Sequence, residues 1–468
     1  MGSSRNPALY QINTRILLGE LSARLGIHAT LEDISDSLLD WIAGAGFEWV
    51  WFLGVWQTGE KSRAVSRSNA AWRAEFEATL PDLTEDDICG SPFAISAYSV
   101  RPEFGGNGAL LNLRRRLADR GLKLMLDFVP NHMGLDHPWV VEHPEFFVHG
   151  DDGLLEREPQ NYRSVDTPHG RLVLAYGRDP YFDGWPDTFQ LNYRHRGLRD
   201  AMTGELARIA EVADGVRCDM AMLLLPDVFQ RTWGERSTPA DGSEPVDEPF
   251  WPAAVAAIRR HRPEFVLMAE VYWDLEYVLQ QQGFDYTYDK RLYDRLHEKN
   301  ATEVRGHLMA DADFQHRSAR FLENHDEKRA AGAFEPAVHE AAAIVTFLVP
   351  GLRFFHEGQF EGRRARVSMH LGRRPAEPVD TALNGFYTRL LDCLRHRAEV
   401  LDGSWRLLEC RPAWDGNATS AQFVAFSWEG QSGHRLLVVV NYGPSAGQCY
   451  ASVVFAGLAG KSVELRDL

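Results

Sequence analysis

Cysteine is scarce in this sequence, and no pattern organises the cysteines that are present. Only five occur among 468 residues, an odd number at scattered positions, and no two form a Cys-x-x-Cys pair. Such spacing predicts neither a disulfide framework nor a zinc site. We therefore expect the chain to fold without disulfide bonds.

Long hydrophobic runs are missing as well. The apolar stretch 341–355 is interrupted by Pro350 before it reaches the length of a membrane span. Residues 1–6 are not followed by the apolar segment of a signal peptide, and Asn6 occupies a position where a myristoylation signal needs Ser or Thr. These absences predict a cytoplasmic protein without a membrane partner.

Basic residues are fewer than acidic ones. The sequence has 50 lysines and arginines and 66 aspartates and glutamates, which gives a formal net charge of −16. The best basic run, residues 114–116, lies in a helical pattern with leucines on the other side, which favours a solvated helix face. We expect no nucleic-acid partner. The acidic balance and the many aromatic residues suit a neutral ligand that offers hydroxyls and ring faces, such as a sugar.

The pattern that is present is an alternation of short apolar strands with amphipathic helices. Eight runs have the near-continuous hydrophobicity of strands buried on both faces, namely 9–18, 49–56, 123–129, 215–221, 264–271, 284–288, 319–325 and 352–358. Helical patterns separate them, and the longest, 291–309, is predicted as one helix. An open doubly wound sheet could carry this alternation, but eight strand–helix units favour a closed (β/α)₈ (TIM) barrel.

Three segments depart from the alternation and divide the chain. Residues 133–193 are rich in Pro, His, Gly and Asp and are predicted to form a lobe inserted after the third strand. Residues 57–97 are expected to form a long loop after the second strand. After Glu399 the pattern is typical of β-strands alone, at 423–428, 436–441 and 450–455. The predicted domains are a barrel (1–132 and 194–398), the lobe (133–193) and a small antiparallel β domain (399–468).

Carboxylates occur at the ends of four predicted strands, in the segments 127–132, 215–219, 268–271 and 321–326. Asp219, Glu270 and Asp326 would therefore point into one mouth of the barrel. In order and context these segments resemble those of the α-amylase superfamily, glycoside hydrolase family 13. The resemblance covers nearly the whole chain and implies the same barrel, inserted lobe and C-terminal β domain.

The resemblance also implies roles for individual residues. Retention at a glycosidic bond needs one carboxylate to attack the anomeric carbon and another to protonate the leaving oxygen. Asp219 would be the nucleophile, Glu270 the general acid/base and Asp326 the third catalytic carboxylate. In further roles, Arg217 would hold Asp219 ionised, His325 would grip sugar hydroxyls with Asp326, and His132 and Tyr98 would contact the same sugar, Tyr98 by stacking.

The sequence departs from the family at positions that bear on the substrate. Met222 and Leu223 replace the Lys-His pair of many members that act on α-1,4-glucans. In those members the pair meets the sugar on the leaving side, so we expect Met222 and Leu223 to form an apolar wall of the sugar site there, which disfavours a long-glucan endo-amylase. We expect a hydrolase or transglycosylase of small α-glucosides or α-gluco-oligosaccharides that works through a covalent glycosyl-enzyme intermediate. Asn131 matches a calcium ligand of many amylases, but no partner ligands can be identified, so neither a metal nor another cofactor is expected.

Other functions remain open on the sequence alone. A sugar isomerase of the trehalose-synthase type would use the same residues, and a non-catalytic carbohydrate-binding member would keep the fold while losing carboxylates that are present here. A nucleotide-binding enzyme is disfavoured, because the glycine cluster at 105–108 lacks the GxGxxG spacing. Sugar identity, linkage and oligomeric state are not specified.

Overall fold

The computed structural model describes residues 5–168, 170–453, 455, 457, 458 and 460–468. Eight parallel strands close into a barrel, each hydrogen-bonded to its neighbours in chain order and the last to the first. They are β1 Ala8–Asn13, β2 Trp49–Leu53, β3 Lys123–Phe128, β4 Gly215–Cys218, β5 Val266–Ala269, β6 Tyr286–Tyr288, β7 Ser318–Arg320 and β8 Leu352–His356. The predicted (β/α)₈ barrel is confirmed.

Helices surround the barrel and explain why its strands are apolar on both faces. Every residue of β2 and of β8 is buried, since one face fills the barrel interior and the other packs under helices. The α-helices span Thr14–Leu25, Asp36–Gly44, Glu60–Ser68, Ala70–Thr79, Gly106–Ala118, Trp139–Glu142, Asp152–Arg157, Arg196–Val212, Pro226–Trp233, Phe250–Arg259, Glu276–Gln281, Lys290–His297, Ala301–Leu308, Ala312–His316, Ala330–Ala333, Pro336–Leu348, Thr381–His396 and Ala398–Leu401.

The segments inserted after β2 and β3 carry structure of their own. A four-stranded antiparallel sheet follows β3 and consists of His132–Gly134, Tyr162–Thr167, Gly170–Gly177 and Trp185–Gln190. The expectation of a loop at 57–97 was wrong in part, because this stretch contains the helices Glu60–Ser68 and Ala70–Thr79. It also contributes to a two-stranded sheet of Trp56–Thr58 and Ile95–Val100. Both segments lie on the side where the barrel strands end.

Three predicted elements are shorter than expected, each for a local reason. The first strand ends at Asn13, whose side chain caps the helix that begins at Thr14. The run 49–56 breaks after β2, where Gly54 has a φ of 82° and its N–H donates to an Asp127 carboxylate oxygen at 2.7 Å. The predicted helix 291–309 is two helices, with Lys299 at a φ of 56° between them and Asn300 capping the second.

Antiparallel strands make up the C-terminal part of the chain. Ser404–Leu408, Phe423–Glu429 and Arg435–Asn441 form one sheet, and Cys410–Arg411 pairs with Tyr450–Ala451. The predicted strand 450–455 is therefore shorter and belongs to the second pair, while Val454 lies outside the described residues. All five cysteines are free thiols. None of the described helices is long and apolar enough to cross a membrane.

Trp428 fastens the C-terminal sheet to the barrel. Its side chain is fully buried, and its indole N–H donates to the carbonyl oxygen of Leu348, the last residue of a barrel helix, at 2.7 Å. Trp428→Ala should lower the free energy of unfolding by about 3–5 kcal/mol, through lost contacts and an unpaired carbonyl, as measured by urea denaturation.

Trp414→Ala is the matched control, because the Trp414 side chain is 57% exposed and its removal should change stability by less than about 0.5 kcal/mol. Equal effects of the two substitutions would show that Trp428 does not anchor the sheet.

Candidate active site

A cavity of about 320 Å³ opens where the barrel strands end, and four carboxyl groups line it, three of them on residues that follow barrel strands. Asp219 directly follows β4, Glu270 directly follows β5, and Asp326 follows β7 after a short loop. The remaining lining residues are Trp72, Ser91, Phe93, His132, Trp185, Asp187, Thr188, Met220, Tyr272 and His370. The three carboxylates that the sequence singled out thus share one concave site.

Arg217 lies beneath the three carboxylates and is completely buried. Its Nη1 donates to Asp219 Oδ1 at 2.5 Å, and its Nη2 lies 2.7 Å from Glu270 Oε2. Asp326 Oδ2 is more distant, at 3.9 Å from the same Nη2. One cation therefore partly neutralises three acids and fixes the positions of two of them.

Aromatic rings enclose the Arg217 guanidinium on its other sides. The ring centroids of Trp51, Phe93 and Tyr288 lie 5.4, 5.2 and 5.7 Å from its Cζ. Ring faces stabilise a desolvated cation, and the Tyr288 hydroxyl also accepts a hydrogen bond from Arg217 Nε at 3.4 Å. The guanidinium is thus held in place from below while its polar edge faces the carboxylates.

Two donors orient the carboxyl group of Glu270. The Tyr272 hydroxyl donates to Oε1 at 2.8 Å, and the backbone N–H of Met220 donates to Oε2 at 2.7 Å. Met220 follows Asp219 directly and has a φ of 43°, in the left-handed region that non-glycine residues rarely adopt. The hydrogen bond from the Met220 N–H couples the end of β4 to the end of β5, and the strained φ redirects the chain that follows.

The three carboxyl groups differ in pKa because their surroundings differ. Burial raises the pKa of Glu270 to about 7, and the neighbouring Asp219 and Asp326 charges add to a rise that Arg217 opposes. Burial also raises the pKa of Asp219, whereas the ion pair and hydrogen bond from Arg217 favour its ionised form. For Asp326, burial would raise the pKa, but His325 and Arg217 lower it to about 2. Glu270 can hold a proton near neutral pH beside an ionised Asp326.

The other residues predicted for the site lie at different depths. His132 lines the cavity, with its ring 5.0 Å from that of Trp185. His325 lies behind the wall, its Nε2 2.9 Å from Asp326 Oδ2 and its Nδ1 2.8 Å from Gln11 Nε2. Tyr98 does not line this cavity within the described chain: its hydroxyl donates to the Val129 carbonyl at 3.0 Å. Stacking of Tyr98 on a sugar therefore stays a prediction.

Met222 and Leu223 are not where the sequence comparison placed them. Both belong to the turn Ala221–Leu224 and are buried in the hydrophobic core, at 0% and 3% exposure. The expectation that they form a wall of the sugar site was wrong, because the tight turn after Asp219 exposes Met220 instead. Met220 and Tyr272 supply that part of the surface.

Several lining residues escaped the sequence analysis. Trp72 lies on a helix in the stretch predicted as a loop, and its ring is 4.5 Å from that of His370. Trp185 and Asp187 belong to a strand of the inserted lobe, which had no clear periodicity. Tyr272 is the exception, because its position two residues after Glu270 could have marked it as a site residue from the sequence.

The side chain of Asn131 is hydrogen-bonded to Gln190 and is not free to bind a calcium ion in this structure. Its side-chain oxygen accepts a hydrogen bond from Gln190 Nε2 at 3.0 Å, and its amide nitrogen donates to Gln190 Oε1 at 3.2 Å. Within the described chain, no group of three or more His, Cys, Asp or Glu side chains could hold a metal ion. The residues present do not fit a calcium site at Asn131.

Comparison with known proteins links the chain to α-amylases. The family model for the α-amylase catalytic domain matches residues 39–375. The α-amylase MalA of Haloarcula japonica is 28% identical over 53% of this chain and 33% of its own length. The α-1,4-glucan:maltose-1-phosphate maltosyltransferase of Pseudomonas aeruginosa is 32% identical over 52% of this chain and 30% of its own length. The chain spans well under two thirds of these curated relatives.

Solved structures show the same fold at low sequence identity. A cyclic α-maltosyl-(1→6)-maltose hydrolase from Arthrobacter globiformis matches with a TM-score of 0.65 and 16% identity, covering 96% of each chain. A maltogenic α-amylase, AmyB from Thermotoga neapolitana, matches with a TM-score of 0.64 and 19% identity, covering 94% of this chain and 86% of that one. At this level of sequence identity, both similarities concern the fold alone.

The raised pKa of Glu270 predicts a pH-dependent gain in stability for Glu270→Gln. A glutamate in the unfolded chain has a pKa of about 4.3, so between that value and about 7 the folded state binds more protons. Wild-type stability therefore falls as pH rises through this window, and a neutral amide avoids the fall. We expect the variant to gain up to about 3 kcal/mol relative to wild type between pH 4 and pH 8.

Urea denaturation of both proteins at several pH values would measure this difference. The comparison at pH 4 is the internal control, because position 270 is then neutral in both. A stability difference that stays constant with pH would show that the Glu270 carboxyl is not held neutral by burial.

Proposed function

The chain belongs to the α-amylase family, and on that premise we propose that it is a retaining glycosidase or transglycosylase of small α-glucosides or α-gluco-oligosaccharides. The proposal rests on one observation. Asp219 and Glu270 line the same cavity, and both contact the buried Arg217 behind its wall. A retaining mechanism needs such a pair of neighbouring carboxyl groups in different protonation states.

In the first step, an ionised Asp219 oxygen attacks the anomeric carbon while the glycosidic carbon–oxygen bond breaks. The electron pair of that bond goes to the leaving oxygen, which takes the proton of Glu270. The pKa of Glu270 near 7 makes it a proton donor at neutral pH, and the Tyr272 hydroxyl keeps its carboxyl group aimed. The product of this step is a glycosyl ester on Asp219 and an ionised Glu270.

In the second step, Glu270 accepts a proton from water or from a sugar hydroxyl as that oxygen attacks the anomeric carbon. The ester bond breaks, its electron pair returns to Asp219, and two inversions give net retention. Arg217 favours the departure of the Asp219 carboxylate because it forms its hydrogen bond to the ionised form. Asp326, backed by His325, is placed to bind sugar hydroxyls.

The surface of the cavity supports an uncharged sugar as the substrate. No lysine or arginine lines it in the described part of the chain, and the Arg217 guanidinium behind the wall is engaged by carboxylates. Arg366, which donates to the Asp326 carbonyl at 3.0 Å, is paired with Glu75. The aromatic side chains of Trp72, Phe93 and Trp185 offer apolar surface to sugar rings. A phosphorylated donor such as maltose 1-phosphate would find no cation on this surface to pair with its charge.

Stereochemistry and two substitutions test the mechanism. An α-glycoside should first release an α-configured product, visible by NMR before mutarotation. Asp219→Asn should reduce kcat by roughly 10⁴-fold or more, because an amide cannot form the glycosyl ester. Glu270→Gln should cost roughly 10²–10⁴-fold on substrates with a poor leaving group and less on glycosyl fluorides, which need no proton.

Azide provides the control for the assignment of Glu270. An anionic nucleophile should partly restore turnover in Glu270→Ala, since it can attack the glycosyl ester without a general base. A β-configured first product, or a folded Asp219→Asn protein of near-normal activity, would refute the mechanism.

The size of the cavity predicts a preference for short substrates. A volume of about 320 Å³ is at the lower end of the range for ligand pockets and leaves little room for a long chain on both sides of the carboxylates. We expect higher kcat/KM for maltose, related disaccharides or aryl α-glucosides than for soluble starch, measured by release of reducing sugar. Rapid loss of iodine staining with starch would contradict this expectation.

A further inference from the structure

A second cavity, of about 580 Å³, lies beside the catalytic one and is rich in arginine. It shares no lining residue with the catalytic cavity. Five arginines line it, namely Arg15, Arg63, Arg101, Arg373 and Arg374. Four carboxylates line it too, those of Glu20, Asp86, Asp87 and Glu103.

Four of the five arginines have carboxylate partners. Arg63 lies 3.5 Å from Glu60, and Arg101 lies 2.5 Å from Glu103. Arg373 and Arg374 lie 2.8 Å from Asp87 and 2.6 Å from Glu20, respectively. Four of the arginines therefore have a carboxylate within ion-pair distance, and the fifth does not.

Arg15 is the arginine without an acid. It is 5% exposed, and no carboxylate lies within ion-pair distance of it in the described part of the chain. Its Nη1 donates to the Gly90 carbonyl, its Nη2 lies 3.4 Å from Thr58 Oγ1, and its Nε has no hydrogen-bond partner among the described residues. A buried cation that is not compensated by an anion is costly, which calls for an occupant that supplies the missing charge.

A second guanidinium converges on the same point. Arg101 Nη1 donates to Thr58 Oγ1 at 3.0 Å, so Arg15 and Arg101 meet at one hydroxyl group. Burial lowers the pKa of Arg15 to about 9, and the Arg101 charge adds to this lowering. Two guanidinium groups held this close repel each other, and an oxyanion between them would relieve the repulsion.

We propose that this cavity binds a small molecule through a phosphate group held by Arg15 and Arg101. The planar fork of a guanidinium matches the oxygens of a phosphate, and the apolar side chains of Ile16, Leu18 and Phe104 leave room for an organic body. Inorganic phosphate and a phosphate monoester share this chemistry. The site is separate from the proposed catalytic centre and does not depend on it.

One loop lies between the two cavities. Cys89 lines the arginine-rich cavity, while Ser91 and Phe93 line the catalytic one. Gly90 turns the loop between them with a φ of 81°, and a Cβ at this position would lie 3.1 Å from the Arg63 backbone. Arg15 thus holds the loop by its carbonyl from one side, and the bound anion would lie on that side, outside the reach of a sugar in the catalytic cavity.

Ala23 allows a test that leaves every arginine in place. It lines the cavity, is exposed, and lies in the helix Thr14–Leu25, where glutamate and glutamine are both good helix formers. Ala23→Glu adds a negative charge at the mouth, whereas Ala23→Gln has nearly the same shape without the charge. Affinity for phosphate should be at least about threefold weaker in the glutamate variant than in the glutamine variant.

Thermal unfolding provides the measurement, because a ligand that binds the folded state raises Tm. Wild type is titrated with inorganic phosphate, with glucose 1-phosphate and, at equal ionic strength, with chloride. Phosphate should raise Tm where chloride does not, a larger rise with glucose 1-phosphate would identify a monoester site, and Arg15→Met should abolish both rises.

The proposal is overturned if phosphate and chloride act alike on wild type, if the two Ala23 variants titrate alike, or if Arg15→Met keeps the wild-type response. The Ala23 pair decides the question even if Arg15→Met fails to fold.

Discussion

The rest of the site depends on the contacts between the buried Arg217 guanidinium and the carboxylates above it. Three acids could not lie around one small cavity unless a cation beneath them offset their repulsion, and two of them lie within 2.7 Å of that cation. A completely buried arginine would itself be unstable without these acids and the rings packed around it. The cation and the carboxylates therefore hold each other in place.

The barrel supplies this arrangement through the alignment of adjacent strands. Arg217 on β4 lies opposite Asp127 on β3 and Met268 on β5. Asp127 accepts hydrogen bonds from the Trp51 indole and the Gly54 N–H, and so joins β2 and the loop after it to the same layer. A shift of one residue in β4 would turn Arg217 away from the carboxylates, which ties the geometry of the site to the register of the barrel.

The sequence predicted the barrel and its carboxylates better than it predicted the inserted segments and the turns. The barrel was predictable because strands buried on both faces leave continuous apolar runs, and Asp219, Glu270 and Asp326 because they end such runs in a familiar order. The helix that carries Trp72 was not predictable, since its pattern is weak, and Asp187 lies in a lobe without periodicity. Met222 and Leu223 were misplaced because sequence position cannot reveal that Met220 adopts a left-handed turn, which sends the next residues into the core.

Charge is distributed differently in the two cavities at this end of the barrel. In the catalytic cavity the cation lies behind the wall, so a ligand meets carboxylates and aromatic rings. In the arginine-rich cavity, arginines and carboxylates both form the wall, and Arg15 has no carboxylate within ion-pair distance among the described residues. We propose on these grounds that the first surface accepts an uncharged sugar and that the second binds an anion between Arg15 and Arg101. On these two proposals, a phosphorylated sugar would bind in the arginine-rich cavity, and an uncharged sugar would reach Asp219 and Glu270.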